Sequence, residues 1–262
     1  MLVRRLKLVE IDEFYEHIVR LGSAPEGIIL GYIWESVKIP YFDICYSSFK
    51  KNKYDSAVYV YRIENTLCIE EWKQGKSFNN LIVSLIKGEK RVKINVGDKV
   101  YGSIRKWRLI DEALEMRLKL GPINQCGQGR DYQEEDERLA TQLLFEEWWT
   151  EKEAKEALRV WGNNPRSQTS VIQIDNKLAA FSHASFDRKY KKAWMSVMYV
   201  AKEFRGRKLG TKVLNHLCNK IYYQGIRELY LGVDKSNKGA VSFYNKLGFE
   251  LTYWKKYKYQ VK

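Results

Sequence analysis

The chain has 262 residues, and since domains usually run to roughly 100–200 residues it holds one large domain or two ordinary ones. Hydrophobic residues make up 45% and aromatics 14%, including 18 Tyr and 8 Trp, which excludes a disordered or collagen-like chain. Lys and Arg number 46 against 32 Asp and Glu, so the formal charge of +14 points to an anionic partner: nucleic acid, membrane lipid and a phosphorylated cofactor all satisfy it.

In the first 120 residues a helix is expected over 10–21, then a hairpin of 57–62 and 66–72 turning at Glu64-Asn65. Beyond it a helix over 78–86, a strand over 91–96, a helix over Asp98–Leu109 and a strand over 113–120 are expected. The stretch GPINQCGQGR, Gly121 to Arg130, has three Gly and one Pro in ten residues and reads as a linker. After it, Leu139, Leu143, Leu144 and Trp148 keep helical spacing, and Ala154, Leu158 and Trp161 continue it in a second helix that stops at Gly162-Asn163-Asn164-Pro165. A hairpin of 171–174 and 178–186 turns at Asp175-Asn176-Lys177, followed by a third strand over 193–200. A helix over 209–223, a buried strand over 229–233, a helix over 240–247 and a last strand over 249–259 complete the order.

The expected fold is therefore a mixed α/β (α+β) chain of two domains, 1–120 and 125–262. The elements that close the first half repeat the order that closes the second. The amino-terminal domain is thus either a degenerate copy of the second or an unrelated mixed α/β domain. Charge divides the chain too. Between Asp131 and Glu156 there are ten acids against Arg138, Lys152 and Lys155, whereas 157–262 carries 21 Lys and Arg against six acids.

The amino terminus, MLVRRLKLVEIDEFYEH, carries acids within its first dozen residues and lacks an apolar core of signal-peptide type. No later stretch approaches the roughly 18 apolar residues of a membrane span, so a cytoplasmic setting without a membrane partner is expected. Cys45, Cys68, Cys126 and Cys218 lie far apart with no CxxC pair, so neither a zinc site nor a disulfide framework is signalled, and no metal is expected.

The residues that carry chemistry are Val200-Ala-Lys-Glu-Phe-Arg205-Gly206-Arg207-Lys208-Leu209-Gly210-Thr211, where a strand passes into a helix. A helix start presents unpaired N–H groups and the positive end of its dipole, and glycines allow close backbone approach, so such a loop suits a phosphate. The loop resembles the acyl-CoA pyrophosphate loop of the GNAT N-acetyltransferase superfamily, whose pattern is Arg or Gln, two residues, Gly, one residue, then Gly or Ala. Arg205 and Gly210 fit its ends, and Lys208 replaces its middle glycine. Asn237, Ala240, Phe243-Tyr244 and Gly248-Phe249 resemble the family's second signature behind the next strand. The resemblance covers residues 125–262.

That resemblance implies a mixed sheet flanked by helices and an acetyl-CoA-dependent N-acyltransferase acting on a primary amine of a small molecule or peptide. Met198, Tyr199 and Val200 would offer backbone groups to the pantetheine arm. The N–H groups of Arg205, Gly206, Arg207, Lys208, Leu209 and Gly210, with Thr211, would take the pyrophosphate, and Asn237 would bind the pantetheine. Tyr244 would protonate the departing thiolate. For the base that deprotonates the amine, His183 and Glu147 lead over Asp187, Glu146 and Asp234. The first half has no intact loop of this kind, its nearest stretch being Glu71-Trp-Lys-Gln-Gly-Lys-Ser, and is not expected to bind CoA. The alternative is a non-catalytic module of the same fold binding nucleic acid or a ribonucleoprotein through its basic surface. Oligomeric state leaves no trace in the sequence.

Overall fold

The computed structural model describes residues 2–5, 45–50, 53–63, 66–73, 78–90, 92–95, 107–122, 129–145 and 150–260. In chain order the elements are β1 (Leu2–Arg5), β2 (Cys45–Lys50), β3 (Lys53–Ile63), β4 (Thr66–Lys73), α1 (Phe78–Ile86), β5 (Val92–Asn95), β6 (Trp107–Lys119) and β7 (Arg130–Asp131). Then follow α2 (Glu137–Phe145), α3 (Glu151–Gly162), β8 (Ser167–Ile174), β9 (Lys177–Asp187), β10 (Lys192–Val200), α4 (Leu209–Tyr223), β11 (Glu228–Asp234), α5 (Lys238–Lys246) and β12 (Glu250–Gln260). Two compact units form: one from Met1–Glu115, Val233–Val241 and Leu251–Lys262, the other from Met116–Gly232 and Ser242–Glu250.

In the first unit the strands run in the order β1-β2-β3-β4-β5-β12. β3 and β4 are antiparallel, as the expected hairpin requires, whereas β4 and β5 are parallel with Leu67 opposite Val92. A parallel pair needs a crossover, and α1 supplies it. Period-two alternation puts Val58 and Val60, Leu67 and Ile69, and Val92 and Ile94 into the core, and α1 meets them with Phe78, Leu81 and Ile82 at helical spacing. Burying each such side chain contributes roughly 1.5–3 kcal/mol. The last strand of the chain belongs here: Tyr257 of β12 lies opposite Asn95 of β5, antiparallel.

In the second unit the order is β11-β10-β9-β8-β7, with the Met116–Lys119 end of β6 beside β11. β9 is its centre, buried without interruption from Leu178 to Phe186, because helices cover both faces. On one face Ser182 donates to the Val213 carbonyl of α4 at 3.5 Å; on the other Phe181 and His183 meet Trp161 of α3. α4 buries Leu209, Val213, Leu214, Leu217 and Ile221, the face its spacing predicts. The β8–β9 turn has Asp175 and Asn176 at φ 48° and 59°, the paired left-handed geometry that matches strand twist in a two-residue hairpin.

One expected element is corrected. Trp107–Leu109 open strand β6 and do not end a helix. Residues 98–106 of that expected helix, the helix over 10–21 and positions 123–128 of the linker lie outside the described residues. Among the described residues no helix is long and apolar enough to cross a membrane.

Candidate functional site

The site is built where β10 ends. β10 pairs in parallel with β11 from Lys192 opposite Glu228 to Met195 opposite Leu231, whereas its antiparallel pairing with β9 continues to Val200 opposite Ala180. A register shift falls between Met195 and Val197. Met198, Tyr199 and Val200 therefore run on beyond the end of the parallel ladder, laced to one neighbour. Such an opening exposes backbone groups to a ligand.

The chain leaves β10 through a short 3₁₀ turn, Lys202–Phe204, and enters α4. Gly206 has φ 80° with nothing within 4 Å of the place a Cβ would occupy, so conformation and not space demands glycine there. Lys208, at the position of the family's middle glycine, has φ 59° and ψ 17° and stands as the N-cap of α4 without a side-chain cap bond. The left-handed region costs a non-glycine residue roughly 1–2 kcal/mol. Gly210 answers a different need. A Cβ there would lie 3.1 Å from Met198 Cε and 3.3 Å from Phe243 Cζ, so the first turn of α4 sits close against both side chains.

The loop cations divide. Arg205 turns back: its Nε donates to the Val200 carbonyl at 3.0 Å, its guanidinium lies 5.5 Å from the Tyr199 ring centre, and its own N–H donates to Lys202 O at 3.3 Å. It thus ties the loop to the strand, and its N–H is already engaged. Arg207 lies over Phe204 at 5.4 Å. The first α4 bond runs from Lys212 N–H to Lys208 O at 3.1 Å, so the N–H groups of Leu209, Gly210 and Thr211 point out of the first helical turn.

Tyr244 is 9% exposed, with rings of Phe243 and Phe249 edge-on at 5.3 Å each. Its hydroxyl stands 3.8 Å from Met198 Sδ. Burial pushes the phenol up to about 12, so it keeps its proton. Asn237 caps α5: its Oδ1 accepts from Ala240 N–H at 3.0 Å, which leaves the Nδ2 hydrogens as donors.

His183 is fully buried. Its ring stacks on Trp161 at 4.2 Å, Nδ1 meets Thr169 Oγ1 at 2.8 Å, Nε2 lies 3.5 Å from Ser185 Oγ, and burial pushes its pKa down to about 3. The ring is a neutral packing group with no route to solvent. Asp187 takes the N–H groups of Lys189 and Tyr190, and Asp234 that of Ser236. Glu146 and Glu147 lie outside the described residues. Sequence reasoning missed Met198 as the sulfur facing Tyr244; its signal was only its place two residues before Val200.

A cleft of about 700 Å3 opens along α2 and α3, lined by Glu134, Glu135, Glu137 and Glu151 against Arg138 and Lys155. Next to Glu135 and Glu137 in the chain, the buried Asp136 accepts bonds of 2.7 and 2.8 Å from the Arg130 guanidinium. Burial pushes that carboxyl up, but the Arg130 bonds and the Gln133 N–H more than reverse it, so its pKa is lowered.

Residues 132–249 match the acetyltransferase (GNAT) family, and the carboxy-terminal half of the chain is a GNAT domain. Among curated relatives, an uncharacterized N-acetyltransferase of Methanocaldococcus jannaschii is 42% identical over 53 residues, 20% of this chain and 24% of that one, so the chain spans about a quarter of its length. The N-alpha-acetyltransferase 50 of Danio rerio is 28% identical over 120 residues, 45% of this chain and 70% of that one. Among solved structures, a GCN5-related N-acetyltransferase from Sphaerobacter thermophilus has a TM-score of 0.71 at 14% identity, covering 99% of this chain and 95% of its own. A tandem GNAT protein from the clavulanic acid biosynthesis pathway has a TM-score of 0.68 at 10% identity, covering 98% and 97%. The fold is thus a GNAT-like mixed sheet flanked by helices, preceded by a second mixed α/β domain.

Proposed function

We propose that the chain is an acetyl-CoA-dependent N-acyltransferase that moves the acyl group directly onto a primary amine of a small molecule or peptide. The observation that carries this reading is the start of α4. A helix without a side-chain cap follows two left-handed residues, Gly206 and Lys208, beside the end of β10. Its leading N–H groups and dipole suit the two phosphates of a pyrophosphate. Met198, Tyr199 and Val200 would hold the pantetheine arm.

In this reading the amine nitrogen attacks the thioester carbon, and the C–S bond breaks as the tetrahedral adduct collapses. No covalent enzyme intermediate is needed once both reactants are held together. Tyr244 donates its phenolic hydrogen to the departing sulfur, a place foreshadowed by the Met198 sulfur 3.8 Å from its hydroxyl. The amine loses its proton to a base, for which Glu147 is proposed; the burial of His183 argues against that ring. The acidic cleft along α2 and α3 supports an acceptor that arrives as a cation. Similarity to the N-alpha-acetyltransferase of Danio rerio supports a peptide amine among the acceptors. Calorimetric titration with CoA tests the reading: one site per chain is expected, and absence of heat and of acetyl transfer to a panel of amines would refute it.

A further inference from the structure

Besides the α4 start, the second unit carries a further cluster of exposed positive charge. It lies at the other end of β10, where the β9–β10 turn meets the turn after α4. Lys191 has φ 57°, and its carbonyl accepts from Arg227 N–H at 2.7 Å and Glu228 N–H at 3.2 Å. Arg188 donates to Gln224 Oε1 across the same seam at 2.7 Å. The two turns are therefore stitched into one platform, and Arg188, Lys189, Lys191 and Arg227 are exposed on it.

Aromatic rings are interleaved with these cations. The Arg227 guanidinium lies 4.4 Å from the Tyr222 ring centre, Tyr222 meets Tyr223 edge-on at 5.7 Å, and the Lys189 ammonium lies 5.4 Å from the Tyr190 ring centre. Tyr223 is 74% exposed. The carboxylates nearby are engaged: Asp187 holds the turn, and Glu228 accepts from the Tyr230 hydroxyl at 2.9 Å and pairs with Arg117 and Lys192. Helix capping accounts for Arg227, whose Nη1 donates to the Tyr222 and Ile226 carbonyls. It does not account for three further cations and an exposed tyrosine on a pre-formed surface.

We propose that this end of the second unit binds single-stranded nucleic acid, with phosphates on Arg188, Lys189, Lys191 and Arg227 and a base stacked on Tyr223. Flat rings between cations suit unpaired bases on a phosphate chain. A duplex hides its base faces, and a lipid surface offers nothing flat to stack on. The surface goes beyond the acyl-transfer reading and does not depend on it. The eight residue steps of β10 put about 26 Å of strand between this platform and the α4 start, so the two ligands bind without overlap.

The test is fluorescence anisotropy of the full chain with an end-labelled oligouridylate of about 12 nucleotides, at about 50 and 200 mM KCl, with and without saturating CoA. Wild type should bind, weaken steeply with salt and ignore CoA. Arg188→Ser/Lys189→Ser/Lys191→Asn should reduce the slope of log affinity against log salt by about 2, since each phosphate contact on a single strand contributes about 0.7. Asn keeps the left-handed turn accessible. Tyr223→Ala, at an exposed position, should lose at least about fivefold on the oligonucleotide and bind heparin, which has no bases, as wild type does. No binding at low salt, an unchanged affinity in Tyr223→Ala, preference for duplex DNA or phosphatidylserine vesicles, or displacement by CoA would each overturn the proposal.

Discussion

The Tyr244 hydroxyl faces the Met198 sulfur at 3.8 Å across the opening at the end of β10. A buried phenol would ordinarily be given an oxygen or nitrogen partner; a thioether is a weak acceptor and is readily exchanged for a better one. A thiolate leaving from that place would be such a partner, and the raised phenol pKa keeps the donor loaded at every working pH.

Replacing Tyr244 by Phe should therefore lower kcat on the order of a hundredfold while leaving CoA affinity within about twofold, because only the donor is lost. Steady-state kinetics beside a CoA titration check this. Equal losses in both would assign the phenol to binding.

Lys208 carries two opposing properties at one position. Its charge favours a phosphate, and its φ of 59° disfavours any side chain. Lys208→Gly should raise stability by about 0.5–1 kcal/mol, the relief of left-handed strain less the extra chain entropy of glycine. Lys208→Ala keeps the strain and should melt no higher than wild type. Both should weaken CoA binding by a similar factor, since both remove the same ammonium, and calorimetry of the two side by side separates conformation from charge.

The burial of His183 has a consequence for pH. Its folded pKa of about 3 lies below the ordinary 6.5, so the unfolded chain takes up a proton that the folded chain refuses. Its cost to stability is absent above about pH 6.5, grows as pH falls, and is complete near pH 3, at up to about 1.4 kcal/mol per pH unit. Urea melts of wild type and His183→Gln between pH 7 and 4 should diverge in that sense, wild type losing stability faster.

Arg130 and Asp136 form a pair of unequal exposure, 41% and 5% for the two side chains. Arg130→Met should cost about 2 kcal/mol, less than a fully buried pair because water reaches the guanidinium side, and Asp136→Asn in the same chain should restore part of it. The double-mutant cycle by chemical denaturation gives the coupling directly.

Local pattern carried the second unit well. The apolar spacing from Leu209 to Ile221 marks α4, and Asp175-Asn176 marks the hairpin turn, because both signals are written within a few residues. Trp107 and Leu109 show the limit: with Lys106 and Arg108 they alternate as a strand does, yet the neighbouring residues read as helix, and tertiary pairing decides. His183 looks like a surface polar group in a strand, but β9 is covered on both faces, a property of the sheet and not of nine residues. Arg205 reads as a phosphate ligand, and its return to the Val200 carbonyl is a five-residue backward contact that no motif spells out.

The pairing of β12 with β5 sets a timetable for synthesis. Asn95 waits for Tyr257, roughly 160 residues later in the chain. At about 5–20 residues per second a ribosome needs on the order of ten seconds to supply it. Throughout that interval β5, already translated, lacks the neighbour that satisfies its open edge. The first unit is thus the first to be made and the last to be finished, and its edge is the place where a nascent chain would need protection from unwanted strand pairing.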